Sequence, residues 1–332
     1  MKKILITGAS GFIGSFLVEK ALEKGWETWA GVRKTSNLEY LQDTRIHFID
    51  LDYSSQGKLI RQIRAHVAKH GQWDYIVHNA GVTKCLHSSD YYNINCWNTV
   101  TFMDALRDTA CIPEKFVLMS SLSALFSEST YGLSKLEAEQ YIQFCSKFPY
   151  IVLRPTGVYG PREKDYLMML KSVQAGVAVS AGLRAQRLTF IYVTDLVQAV
   201  FLALESKLTK KTYVVTDGEV YTDSEYIQLV KKVLGKKRVL RIKLPLFLLY
   251  IISCLTEFFF KIFGKASTLN RDKFKLMKQR NWGYSNQPIT DDLGFQPEYD
   301  LEKGLKASVE WYEQNGWLSK RVIQPYSVSC KP

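Results

Sequence analysis

No two cysteines in this 332-residue sequence have CxxC spacing, and no His/Cys grouping has the spacing of a zinc site, so no metal is expected. The six cysteines (Cys85, Cys96, Cys111, Cys145, Cys254 and Cys330) read as free thiols of a reducing compartment, and the cytoplasm is the expected location. There is no low-complexity tract and no repeat of solenoid period, which excludes stacked-repeat architectures. The net charge is +12, with its basic residues read as spread along the chain apart from one cluster at 231–243. No nucleic-acid motif accompanies that charge, so RNA and DNA are not expected partners. The start, MKKILITGASGFIGS, has the lysines and apolar residues of a signal peptide. Three glycines break the run and no cleavage-like segment follows, so that reading is rejected.

Long apolar runs are also scarce. The exception is LPLFLLYIISCLTEFFFKIF, Leu244 to Phe263, which approaches the length of a membrane span. It carries Glu257 and Lys261 and follows the basic cluster, so a buried or interface helix is expected. Peripheral contact with a membrane surface is the alternative.

The first half alternates short apolar runs with longer helical patterns. Strands are expected at 2–7, 27–32, 45–50, 74–78, 115–120 and 150–154. Helices are expected up to Lys24, over 56–70 and 91–108, and after Thr130. That rhythm predicts an α/β fold: a Rossmann doubly wound parallel sheet with helices on both faces and a smaller C-terminal substrate-binding cap. The expected boundaries are 1–160 for the dinucleotide domain, 187–216 returning to it, and 161–332 mainly cap.

TGASGFIG follows the first strand and opens the first helix. Its glycines, Gly8, Gly11 and Gly14, let the chain turn tightly and approach a pyrophosphate, and the helix N-terminus offers unpaired N–H groups to the anion. Ser10, Phe12 and Ile13 belong to the same cradle. Where an NAD-preferring site usually has an acid after the second strand, this sequence has Arg33 and Lys34. A guanidinium can bind a 2′-phosphate, so NADP(H) is the preferred cofactor, with NAD(H) as the alternative. Asp50, with Leu51 after it, is positioned to meet the adenine.

Tyr131 and Lys135 lie four residues apart on an expected helix and therefore share a face. An ammonium beside a phenol lowers its pKa and suits it to proton transfer at a carbonyl oxygen. The preceding strand ends in MSSLS. In extended backbone Ser121 and Ser123 point together, so Ser121, or Ser123 in second place, is the expected partner of Tyr131.

These residues, with VHNAG (77–81), YYNIN (91–95), LRPTGVYGPRE (153–163), FIYVTDL (190–196) and the closing LGFQPEYDLEKGLKASVEWYEQNGWL, resemble the short-chain dehydrogenase/reductase superfamily in its extended branch of epimerases, dehydratases and reductases. The resemblance covers nearly the whole chain. It implies that Tyr131 is the general acid/base and that Lys135 also binds the nicotinamide ribose. Ser121 would polarise the carbonyl, and Asn95 would hold a helix or a relay water near Lys135. Asn79, Ala80, Gly81 and Pro155 would line the cofactor. Arg162 and Tyr192 would contact a small-molecule substrate, and a helix pair would form a homodimer. The cations after the second strand look closer to dihydroflavonol-reductase-like and 3β-hydroxysteroid-dehydrogenase-like members than to nucleotide-sugar epimerases. The expected activity is an NAD(P)-dependent oxidoreductase. The alternatives are a nucleotide-sugar epimerase/dehydratase with tightly held NAD and a non-catalytic dinucleotide sensor.

Overall fold

The computed structural model describes residues 1–126, 128–144 and 147–320; Cys145 and Cys330 lie outside them. Strand β1 (Lys3–Thr7) turns through the glycine loop into α1 (Phe12–Glu23), which ends at Gly25 with φ +68°. The units β2 (Glu27–Val32), β3 (His47–Asp50), α2 (Gln56–His70) and β4 (Tyr75–His78) follow. Next, α3 (Ser89–Tyr91) runs through a π-helical turn (Tyr92–Trp97) into α4 (Asn98–Asp108). Strand β5 (Lys115–Met119), a 3₁₀ turn (Leu122–Leu125), α5 (Thr130–Phe144) and β6 (Tyr150–Pro155) complete the first half.

The strands alternate sides as the pleat requires. Ile4, Ile6, Val77 and Val117 face one helical layer, while Leu5, Ile76, Phe116 and Val152 face the other. Both faces are therefore apolar and every strand pairs in parallel. The sheet has seven strands in the order β11-β6-β5-β4-β1-β2-β3, where β11 is the later strand Lys211–Val215. Strand order reverses between β1 and β4, and a ligand crevice opens beyond the carboxyl ends of the strands at such a point.

The second half builds the cap from β7 (Gly157–Tyr159), α6 (Asp165–Gln174), β8 (Val177–Ala181), β9 (Arg187–Leu188) and β10 (Phe190–Tyr192). The chain then rejoins the sheet layer with α7 (Val193–Glu205) and β11 (Lys211–Val215), which pairs with β6. The cap resumes with β12 (Tyr221–Thr222), α8 (Asp223–Val233), β13 (Leu240–Leu244), α9 (Leu246–Ile262) and α10 (Arg271–Met277). Helix α11 (Gln287–Leu293) sends Ile289 into the core beneath the sheet, and α12 (Leu301–Gln314) packs in the cap. The return to the sheet layer thus begins near Val193, since β9 pairs with the cap strand β12, and residues 287–295 rejoin that layer too.

Of the expected buried or interface helix over 244–263, the buried option does not hold. Helix α9 buries only Leu249 and Ser253, and most of its apolar side chains stand in solvent. Among the described residues, no helix is long and apolar enough to cross a membrane.

Candidate active site

The glycine loop is shaped by close backbone approach. Gly8 has φ +65°, and a Cβ there would sit 2.8 Å from Ala80 Cα. A Cβ at Gly14 would fall 2.1 Å from the Gly8 carbonyl oxygen, so the helix can press onto the loop only without one. Gly11 caps α1 in extended conformation, and the first turn of α1 carries no acid. Its leading amides lack intrahelical acceptors and face the crevice at the positive end of the helix dipole.

The end of β4 links this loop to α5, the helix that carries Tyr131 and Lys135. Ala80 N–H donates to Thr7 Oγ1 at 3.1 Å, and Asn79 Nδ2 donates to the Gly8 carbonyl at 3.4 Å. His78 bridges Thr7 and Thr99 at 2.9 and 3.1 Å, and burial pushes it down to about 3, leaving a neutral imidazole in the core. A Cβ on Gly81 would lie 2.9 Å from both Lys135 Nζ and Asn95 Oδ1. The π turn, unforeseen in the sequence, aims Asn95 there. Its amide accepts from Val82 N–H at 2.8 Å and donates to the Val82 carbonyl and Ser134 Oγ, both at 3.1 Å. Such turns recur at functional sites because one extra residue redirects a side chain.

Lys135 is buried, with Nζ donating to the Met119 carbonyl at the end of β5 at 3.1 Å. Burial lowers it to about 8, partly offset by Glu139 one turn along. The Tyr131 phenol is raised by burial and drawn back by a hydrogen bond with Ser121. This corrects the expected lowering of the phenol by the ammonium: Lys135 is directed at Met119, and desolvation dominates at Tyr131. Ser121 also accepts from Ser123 N–H at 3.1 Å, which starts the 3₁₀ turn. That turn ends the alternation on which Ser123 was paired with Ser121, and Ser123 is buried within it. The expected substrate role of Ser123 is not supported.

Two features of α5 carried no sequence signal. Glu139, fully buried, accepts from Ser120 Oγ and from Arg154 Nε at 3.0 Å. Asp272, at the start of α10, accepts from Thr130 N–H at 2.6 Å and from Tyr131 N–H at 3.2 Å. A carboxylate 141 positions away from Tyr131 thus caps the helix that carries it.

At the outer end of the crevice, Arg33 and Lys34 are exposed just past β2, and no described residue forms an ion pair with either. Asp50 closes β3 beside Val32, with Leu51 buried behind it. Pro155 ends β6 and is buried. Phe12 and Ile13 open α1, and Ser10 stands just before its Gly11 cap.

Arg162 and Tyr192 are not brought to Tyr131. Arg162 donates to Ser15 Oγ at 2.9 Å and Glu19 at 2.6 Å on α1, and its guanidinium covers the Phe16 and Tyr40 rings. It fastens the cap to the first helix. Tyr192 is buried in the cap core, stacked on Tyr299 at 4.2 Å. Both candidate substrate contacts are corrected to packing roles, because the cap fold consumes their side chains.

The Gly8, Gly11 and Gly14 cradle, the free first-turn amides of α1, the Asn79–Gly81 wall and the Lys135 ammonium together fit a dinucleotide lying along the carboxyl edge. Residues 4–216 match the model of the NAD dependent epimerase/dehydratase family. The ceramide reductase of Caulobacter vibrioides is 25% identical over 96% of this chain and 97% of its own length. The dTDP-D-glucose 4,6-dehydratase of Homo sapiens is 22% identical over 98% and 95%. The crystal structure of a UDP-glucose 4-epimerase from Thermotoga maritima shares the fold, with TM-score 0.73 and 21% identity over 94% of this chain and 99% of that one.

Proposed function

We propose, from the premise that this chain belongs to the NAD dependent epimerase/dehydratase family and is an enzyme of that oxidoreductase type, that it is an NADP(H)-using carbonyl reductase acting on an acyl-chain-bearing lipid. The observation that carries the catalytic reading is the convergence of Tyr131, Ser121 and Lys135 beside the glycine cradle.

The glycine cradle, the Asn79–Gly81 wall and Lys135 would hold a nicotinamide dinucleotide, which would supply or take hydride at the substrate carbon. Tyr131 gives its phenolic proton to the carbonyl oxygen during reduction and removes it in reverse. The Ser121 hydroxyl, which draws that phenol back down against its burial, would hold the same oxygen. Lys135, one turn away and donating to the Met119 carbonyl, would hold the nicotinamide ribose, and Asn95 keeps the Gly81–Val82 wall in place. Arg33 and Lys34 are free cations where a 2′-phosphate would lie, which supports NADP(H).

The lipid reading rests on two supports. One is the likeness to a ceramide reductase along nearly the whole chain. The other is a slot of 260 Å³ between the end of β8 and the start of α9, with Leu183, Pro245 and Leu246 in its lining beside the cations Arg184, Lys278 and Arg280. Lys278 pairs at 2.5 Å with Glu128, three residues before Tyr131, so the slot adjoins the catalytic loop. The likeness to a dTDP-D-glucose 4,6-dehydratase keeps a nucleotide-sugar reaction as the second reading.

Titration of the purified protein with NADPH and NADH, followed by nicotinamide fluorescence, tests the cofactor. Arg33→Ala should weaken NADPH binding by roughly ten- to a hundredfold and leave NADH nearly unchanged. Tyr131→Phe should abolish oxidation of NADPH by ketone-bearing lipids while binding persists. Tight, non-exchanging NAD with turnover of sugar nucleotides would replace this reading with the second one.

A further inference from the structure

The charge is not evenly spread. Residues 236–280 hold twelve lysines and arginines against Glu257 and Asp272, a net +10 of the chain's +12. The same stretch carries α9, whose Phe247, Phe258 and Phe263 are 70%, 62% and 74% exposed. Ile251, Phe259 and Ile262 are exposed beside them. Monomeric soluble proteins rarely leave so large an apolar surface unused.

We propose that this face docks onto an anionic lipid bilayer, with α9 lying in the headgroup boundary. The helix has 17 residues and is therefore about 25 Å long, short of a span. It is tied down along one side: Thr256 Oγ1 donates to the Leu269 carbonyl at 2.5 Å, Glu257 pairs with Arg271 at 2.9 Å, and Tyr250 packs on Phe274. The opposite side is left apolar. Cations flank it in the chain at Arg241 and Lys243 on the exposed strand β13, at Lys261 in the last turn of α9, and at Lys265 just after it. Apolar insertion with flanking cations is how an interfacial helix binds acidic lipid.

The charge also argues against other occupants. A second copy would set one +10 segment against another. A nucleic acid would leave the uninterrupted aromatic face without an apolar partner. The inference supplies the surface from which the proposed lipid substrate would come, and so deepens that reading. Its test uses neither substrate nor cofactor, so the two can fail separately.

The full chain is mixed with sucrose-loaded vesicles of phosphatidylcholine, with and without phosphatidylglycerol, at low and high salt, and the pelleted fraction is measured. Binding should require phosphatidylglycerol and weaken with salt. It should fall at least tenfold in Phe259→Glu/Phe263→Glu and also in Lys261→Glu/Lys265→Glu. An unchanged thermal midpoint and an unchanged circular-dichroism spectrum show that the variants are folded. A chain that stays in the supernatant with anionic vesicles at low salt overturns the proposal. So does a dimer by light scattering that the Phe259→Glu/Phe263→Glu variant dissociates while vesicles remain unbound.

Discussion

Lys135 spends stability for position. An unfolded lysine titrates at 10.5 and the buried one at about 8. Below pH 8 both states are protonated, and the folded chain bears the cost of a buried ammonium. Between pH 8 and 10.5 the folded state releases its proton first, so this group's contribution to stability rises by on the order of 3 kcal/mol. Lys135→Met should therefore be inactive yet more stable than the parent at pH 7, and should lack that rise; urea midpoints at pH 7 and pH 9 check both. Glu139 behaves oppositely. Glu139→Gln leaves Arg154 without its buried counterion and should cost about 3–5 kcal/mol in denaturant unfolding. The placing of Tyr131 and Lys135 on one helix, and of the three glycines at the β1–α1 turn, was legible because it depends on short spacings within one element. Ser123, Arg162 and Tyr192 were misjudged because their roles depend on a 3₁₀ turn and on cap contacts that no local spacing encodes.

Two short elements govern the catalytic helix. The π turn holds Asn95 against Val82, and Asp272 from α10 caps Thr130 and Tyr131. Asp272→Ala should cost about 1 kcal/mol of stability and fray the turn bearing Tyr131. Steady-state kinetics should show kcat falling with little change in cofactor affinity, and Asp272→Asn should restore part of it. Most helix and strand ranges of the first half were readable from period and turn residues, α2 and β2 to the residue. The extra residue of the π turn was not, since it leaves the apolar pattern intact. Helix α9 was recognised as a helix, but burial and surface exposure could not be told apart, because a run of phenylalanines suits a core and an interface alike.

Across the whole molecule, two sets of buried groups pull stability in opposite directions with pH. Burial lowers His66 to about 4 and His78 to about 3, so their contribution improves as pH rises from there to 6.5. Burial raises Asp195 to about 6 and Asp217 to about 7, so theirs worsens as pH rises from 3.8 to those values. Asp217→Asn should therefore be more stable than the parent at pH 8 and no more stable at pH 4, as read by urea midpoints. The parallel sheet and its crevice were legible as a whole, because strand–helix alternation leaves few topologies open. The cap was legible only as a remainder, since its small ribbons and helices follow no repeating rule.

The uneven distribution of charge has a mechanical result. With +10 of +12 confined to residues 236–280, the molecule is an electric dipole whose positive pole is the α9 side of the cap. In a field it experiences torque before it experiences contact. Over the last Debye length, about 8 Å at physiological salt, a negatively charged wall would rotate the tumbling protein until that pole led. Arrival would be oriented, and the first surface to touch would be the one built with exposed phenylalanines.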